Sequence, residues 1–418
     1  MSLDNIEIIK VKRANDTMGV KIDKNKIIFW VPSAFRIENN EEQVKEDLLK
    51  FILSLSISKA QESLYSPSCI NNFNSTGWPV TSFLWIIKDY LDNGFYYDRT
   101  VVNVNDSFGK INWKKTIKKT PLFIGDNVIY DSFVISKMQS RENEITQIYK
   151  YCLKQSVMHI GWVFKCKIPV EVNLLKTPVE MISIVNKELN STFDDNKKCR
   201  FNNMLAILSN SVSSDLLASS YNFTISNYYY VYEVMVDNFF CGIKGEIKSK
   251  FNPKGKWNFN GGASVESSSL RPDTIYIDDD NNTFVLDAKM YEFGMTGDIS
   301  DLPNSSSIQK QVTYGDHIFN NVLDKKYSVK NAFILPFDKE NQNYKSNVKF
   351  ESVIDDNLVY FGYAEPKWRE FQNEQYNYIY SFLIDFNYLL RNYSSSNSLY
   401  ISELCKYINQ EFQKKSAK

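Results

Sequence analysis

Asp273, Asp287 and Lys289 stand in the stretch RPDTIYIDDDNNTFVLDAKMY, which runs from Arg271 to Tyr291. Two apolar, β-branched runs flank a turn of Asp and Asn, the pattern of a β-hairpin. Side chains alternate across a strand, so Asp287 and Lys289 point to one face. Antiparallel pairing brings Asp273, at the start of the first strand, near the end of the second, and the three groups converge. An acid and a lysine on one face of an apolar strand are costly to bury unless they face a cleft and bind something. Two close carboxylates repel, and a hard divalent cation such as magnesium, which takes oxygen ligands, relieves the repulsion. A lysine beside it can position or deprotonate an attacking water and stabilise charge developing on phosphorus. Together these suit metal-assisted hydrolysis of a phosphodiester. The plain alternative is an acidic turn in which Asp287 and Lys289 form a surface ion pair.

The elements that position this hairpin follow from the flanking patterns. At 418 residues the chain is longer than most single domains, so two are expected. IEIIKVKR, MGVKID and KIIFWVPS read as strands; then Val44, Leu48, Phe51, Ile52 and Leu55 form one face of a helix capped by Asn40. A second helix is expected after Ser140, with Glu142 and Glu144 in its first turn and Ile145, Ile148, Cys152 and Leu153 on one face. Thr177, Pro178 and Glu180 make a capping box with proline at the first helical position. A helical stretch from Asp195 to Leu217, followed by a weak break, puts the boundary near residue 215. The expected domains are an N-terminal α+β domain, 1–215, and a C-terminal α/β domain, 216–418. Within the second, YYYVYEVMVDNFF reads as a helix, followed by a Lys- and Gly-rich loop with strand pieces, then the hairpin. A helix from about Ser307 follows, then buried strands KNAFILPFD and LVYFGYA. Pro366 opens a long helix carrying Ile379, Phe382, Phe386, Leu389 and Leu390, and a short helix ends the chain.

Composition narrows the class. Hydrophobic residues at 43% and aromatics at 15% are ample for buried cores. Lysine plus arginine and aspartate plus glutamate total 49 each, so any nucleic-acid surface must come from local patches. Six separated cysteines without a CxxC pair argue against a zinc ribbon and for reduced thiols. With only His159 and His317, a histidine-built metal site or a Ser-His-Asp triad has little to work with. No signal-peptide layout and no apolar run of membrane-spanning length appears, so a soluble cytoplasmic protein without membrane contact is expected.

The layout RPD…VLDAK resembles the PD-(D/E)xK nuclease superfamily, whose core is a mixed sheet flanked by helices. The resemblance implies Asp273 and Asp287 as metal ligands and Lys289 as the catalytic lysine. It also implies a further acid on the preceding helix, for which Glu233 fits, with Asp237 one turn later; an ordinary exposed glutamate is the alternative. Many such nucleases line the cleft with glutamine and tyrosine from the helix after the hairpin, here Gln309, Gln311 and Tyr314. The spacing Gln311–Tyr314 is one short of the usual QxxxY, and Lys310 occupies the expected place; a plain amphipathic helix is the alternative. A second stretch, GKINWKKTI from Gly109 to Ile117, is similar to a signature of McrC-type and LlaJI-type restriction proteins. The resemblance is therefore to a LlaJI-family, McrC-like restriction endonuclease. It implies magnesium-dependent cleavage of double-stranded DNA and, for McrC-like members, a separate GTP-hydrolysing AAA+ (McrB-like) subunit. The 418 residues hold no GxxxxGK[ST] phosphate loop of their own.

Two lysine clusters offset the neutral balance. Lys244, Lys248, Lys250, Lys254 and Lys256 lie between the Glu233 helix and the hairpin and suit contacts to phosphates, with a plain solvated surface as the alternative. Lys110, Lys114 and Lys115 surround Trp113 and suit a partner or DNA contact; Trp113 could equally be buried or stacked on a base. The expected function is a restriction endonuclease working with the AAA+ partner. A self-sufficient type II enzyme, a repair or recombination nuclease and a non-catalytic DNA-binding or interaction protein are the alternatives.

Overall fold

The computed structural model describes residues 6–12, 16–23, 26–61, 79–106, 109–125, 127–141, 143–161, 172, 176–214, 220–322, 327–341, 348–369 and 375–416. The chain divides into two units, Met1–Thr76 with Ser220–Lys418, and Gly77–Ser219. The expected division at 215 therefore needs correction: the first strands and helix belong with the C-terminal half. Long-range pairing, which local periodicity does not encode, decides this. Strands β1 (Ile6–Val11), β2 (Met18–Asp23) and β3 (Lys26–Pro32) join β4 (Ser220–Ile225) in the order β1-β3-β2-β4, with β2 antiparallel to β4. Arg36 donates to Asp338 at 2.9 Å and Asp385 at 2.7 Å, and Arg391 donates to Asp47 at 2.6 Å. Asp47 belongs to helix α1 (Glu41–Gln61), whose second residue donates its backbone N–H to the side chain of Asn40 at 2.9 Å.

Onward from β4 come helices α2 (Tyr229–Phe239) and α3 (Gly245–Ser249), then a ribbon of β5 (Lys256–Asn258) and β6 (Ser264–Glu266). A six-stranded mixed sheet follows, built from β7 (Thr274–Ile277), β8 (Thr283–Ala288), β9 (Val329–Phe337), β10 (Glu351–Ser352), β11 (Leu358–Ala364) and β12 (Ile379–Asp385). Its order is β7-β8-β9-β12-β11-β10. β7 and β8 are antiparallel, whereas β8, β9 and β12 run parallel. All nine residues of β9 are buried, as a strand covered on both faces requires. Helix α4 (Ser305–Asn321) lays Val312, Tyr314 and Ile318 into a core shared with Val285, Phe333 and Ile379.

The long helix expected from Pro366 is not formed. Ile379 and Phe382 lie in β12, and only Phe386, Leu389 and Leu390 lie in a helix, α5 (Phe386–Asn392). A short apolar run buried on both faces matches helical spacing by coincidence. Asp385 ends the strand and accepts the backbone N–H of Tyr388 at 2.8 Å, which starts the helix. The chain closes with α6 (Ser398–Ser416).

The second unit is a set of helices, Val80–Asn93, Glu144–Ile160, Pro178–Ser191 and Asp195–Ser214, with the antiparallel pair Asp98–Asp106 and Phe133–Arg141. The Thr177–Glu180 capping box is present as expected. The helix expected after Ser140 is present as Glu144–Ile160, capped by Asn143, with Glu144 in its first turn and Ile145, Ile148, Cys152 and Leu153 buried; Ser140 itself lies in the strand Phe133–Arg141, and Glu142 lies outside the described residues. His159 stacks on Phe83 with centroids 5.0 Å apart, and burial pulls its pKa down to about 4. Among the described residues, no helix is long and apolar enough to cross a membrane.

Candidate active site

Asp287 is the fifth residue of β8, and its side chain is almost wholly buried, at 1% exposure. Pairing with β9 continues one residue past the strand, where the Lys289 N–H donates to the Ile334 carbonyl at 2.9 Å. That extension keeps Lys289 in strand-like register, and its ammonium meets Asp287 Oδ2. On the neighbouring strand end, Asp273 Oδ2 accepts the backbone N–H of Ala288 at 3.0 Å. The hydrogen bond pins this carboxylate beside the end of β8, where the hairpin register required it. Glu233 enters from the middle of α2.

These groups act on one another electrostatically. Burial, then the charge of Asp287, pushes the Glu233 carboxyl up to about 7. Burial, then Asp287 and Glu233, pushes Asp273 well above the ordinary carboxylate range. Burial pulls Lys289 down, but Asp287 and Asp273 outweigh it, and its pKa is raised. Lys248 and Lys310 act on the cluster as well, so three acids face three ammonium groups. The ion pair is thus enclosed, not the surface pair of the plain alternative.

Several neighbours hold this arrangement. Lys248 donates to the main-chain carbonyl of Asp273 and, at 3.3 Å, to Asp237 Oδ1. Asp237, one turn beyond Glu233, serves these lysines instead of joining the acid cluster, and Lys244 pairs with it too. A Cβ on Gly242 would come within 2.0 Å of Asp237 Oδ1, so glycine is needed there for the close approach. From α4, Tyr314 donates its hydroxyl to the Arg271 carbonyl at 2.8 Å, and Gln311 Nε2 donates to the Val285 carbonyl at 2.7 Å. Both acceptors lie two residues before a site aspartate.

Gln311 therefore needs correction as a phosphate-binding candidate. It is fully buried and works inside the core, while Gln309 is exposed on another side of α4. The residue of α4 that reaches the acids electrostatically is Lys310, whose Nζ lies 5.7 Å from the Tyr314 ring centroid. Asn331 was not anticipated. It is the third residue of β9 and donates to the Gln311 carbonyl at 3.1 Å and the Tyr376 carbonyl at 2.6 Å. An asparagine just ahead of the apolar run AFILPF was the available signal.

The donor chemistry fits a hard cation. The available ligands are carboxylate oxygens, and buried Asp287 Oδ1 has no hydrogen-bond partner. Among the described residues, no group of three or more His, Cys, Asp or Glu side chains is placed to hold a metal ion.

Of the lysines, Lys244, Lys250, Lys254 and Lys256 are exposed, and Lys254 pairs with Glu266 at 2.9 Å. In the second unit, Lys110, Lys114 and Lys115 are exposed. Trp113 is 57% exposed with its ring edge-on to Phe133, so it is a surface residue.

The LlaJI restriction endonuclease family model matches residues 17–363. No curated protein matches. Among solved structures, a chain from a refined half-complex of the tetradecameric assembly of Thermococcus gammatolerans McrB AAA+ hexamers with bound McrC is 14% identical. The match covers 90% of this chain and 81% of that one, with a TM-score of 0.38. A chain from the cryo-EM structure of the Thermococcus gammatolerans McrBC complex is 15% identical, with 55% and 68% covered and a TM-score of 0.23. Likeness at that level is too slight to transfer a function.

Proposed function

Because the chain belongs to the LlaJI restriction endonuclease family, we propose that it is a magnesium-dependent endonuclease hydrolysing double-stranded DNA at a PD-(D/E)xK-type centre on β7 and β8. The observation that carries this reading is the enclosed Lys289–Asp287 pair at one end of the hairpin, with Asp273 bonded to the Ala288 N–H beside it and Glu233 acting on all three. Asp273, Asp287 and Glu233 would hold the cation, with the orphaned Asp287 Oδ1 as one donor. When bound, magnesium supplies Lewis-acid polarisation of the phosphate and acidifies a bound water.

The chain's own residues supply orientation and charge. Lys289, kept protonated by its acidic neighbours, offers an N–H to a phosphate oxygen or to the attacking water and stabilises developing negative charge. In that state it is a donor, not a base. Lys310 adds a second positive charge from α4, and Lys248 keeps Asp273 in place through its main-chain carbonyl. Lys250, Lys254 and Lys256 suit the flanking phosphates. A GTP-hydrolysing AAA+ partner of the McrB kind is part of the proposal, and it accords with the lack of a phosphate loop in these 418 residues.

The test is plasmid cleavage with magnesium, with and without such a partner, comparing wild type with Asp287→Ala and Lys289→Ala. Cleavage lost in both variants supports the site, and dependence on the partner separates the McrC-like case from a self-sufficient type II enzyme. Variants that cut like wild type would refute the assignment.

A further inference from the structure

Between α3 and the catalytic hairpin the chain projects a ribbon that the mechanism does not use. β5 and β6 pair antiparallel, with Trp257 opposite Val265 and Lys256 opposite Glu266. Alternation puts Trp257, Phe259 and Val265 on one face and Lys256, Asn258, Ser264 and Glu266 on the other. Every residue of both strands is exposed. Trp257 is 65%, Phe259 55% and Val265 58% exposed. Two aromatic rings and a valine on one bare face are an apolar patch that water disfavours, and such patches mark interaction sites. A lone two-stranded ribbon is also only marginally stable in water.

The ribbon is nonetheless well formed. Phe259 N–H donates to the Ala263 carbonyl at 2.9 Å, and Gly261 and Gly262 take the positive φ values, +117° and +91°, that close its tip. Its base is tied by Ser267 N–H to the Gly255 carbonyl at 2.8 Å and Leu270 N–H to the Pro253 carbonyl at 2.9 Å. One strand leaves from the segment holding Lys248, which bonds the Asp273 carbonyl, and the other returns through Arg271 to Asp273 itself. The ribbon is thus rooted in the candidate site.

Charge decides the partner. From Lys244 to Leu270 the segment carries Lys244, Lys248, Lys250, Lys254 and Lys256 against only Glu246 and Glu266, in a chain whose net charge is zero. We propose that the ribbon enters a groove of duplex DNA beside the cut phosphate, with Trp257, Phe259 and Val265 against bases and sugars and the lysines on flanking phosphates. The major groove admits a two-stranded ribbon, and apolar side chains wedge between base steps from the minor groove. The inference rests on the nuclease reading above.

The experiment is anisotropy of a labelled duplex titrated with the full chain, made uncuttable by Asp287→Ala, with and without Trp257→Ala/Phe259→Ala, at several salt concentrations. The expected result is binding weakened about tenfold or more, as for loss of stacked aromatic contacts. The salt slope should not change, because the lysines remain, and thermal unfolding should change little, because both rings are largely exposed. Lys250→Ala/Lys256→Ala should instead lower the salt slope by about one per lost phosphate contact. Equal affinity of the aromatic variant would overturn the ribbon proposal and leave the nuclease reading standing. If that variant kept its DNA affinity but changed the oligomeric state, the face would be a protein interface, and the DNA assignment would be wrong. A full chain that, with the AAA+ partner and magnesium present, neither binds nor cuts duplex DNA would refute the nuclease reading, and the ribbon with it.

Discussion

Replacing Lys289 by methionine separates an enclosed catalytic pair from a decorative surface one. Methionine keeps an unbranched stem of similar length and removes the charge. An exposed ion pair contributes about 0–1 kcal/mol. Breaking a buried pair by removing one partner costs about 3–5 kcal/mol, because the remaining charge is left uncompensated. Here the side chains are 14% and 1% exposed, and the stranded Asp287 would also face the charges of Asp273 and Glu233. We therefore expect Lys289→Met to lose about 3 kcal/mol in urea unfolding at pH 8 without divalent metal. Pairing it with Asp287→Asn should recover much of that loss, since the stranded charge is removed as well. Adding magnesium should restabilise Lys289→Met by mass action, as a cation takes over the role of the ammonium. A loss below about 1 kcal/mol, or a double variant less stable than Lys289→Met alone, would refute the reasoning.

Two further outcomes follow from the same structure. Glu233, raised from 4.5 to about 7, folds more favourably protonated, so its contribution is full below pH 4.5 and is lost as pH rises through about 7. Glu233→Gln should thus raise the urea midpoint at pH 8 but not at pH 4.5, while cleavage falls; a pH-independent change would contradict the assignment. In the second unit, Arg200 forks onto Asp89 at 2.8 and 2.7 Å, and Tyr149 donates to the same carboxylate at 3.0 Å. Arg200→Ala strands a buried acid and should cost about 3 kcal/mol by thermal or urea unfolding, against near-zero for an exposed pair.

What the sequence by itself determined was local. The hairpin of Asp273, Asp287 and Lys289 was legible because period-two alternation, an Asp–Asn turn and a fixed offset leave one register open. The Thr177–Glu180 capping box and the helices carrying Glu233 and Tyr314 were legible for the same reason: caps and faces are set by neighbours within four residues. What lay beyond that range only the tertiary structure decided. Ile379–Asp385 satisfied a helical face on paper, yet burial on both sides between β9 and β11 made it a strand. The first sixty residues joined the C-terminal half because β2 found its partner in β4 and Arg36 found Asp338 and Asp385. Gln311 turned into the core and left Lys310 toward the acids, a difference of one position on a helix, or about 100° of rotation. The same cause underlies each case: residue type and spacing constrain the faces an element can offer. Which face is covered, and by which distant segment, is settled by packing across the whole fold.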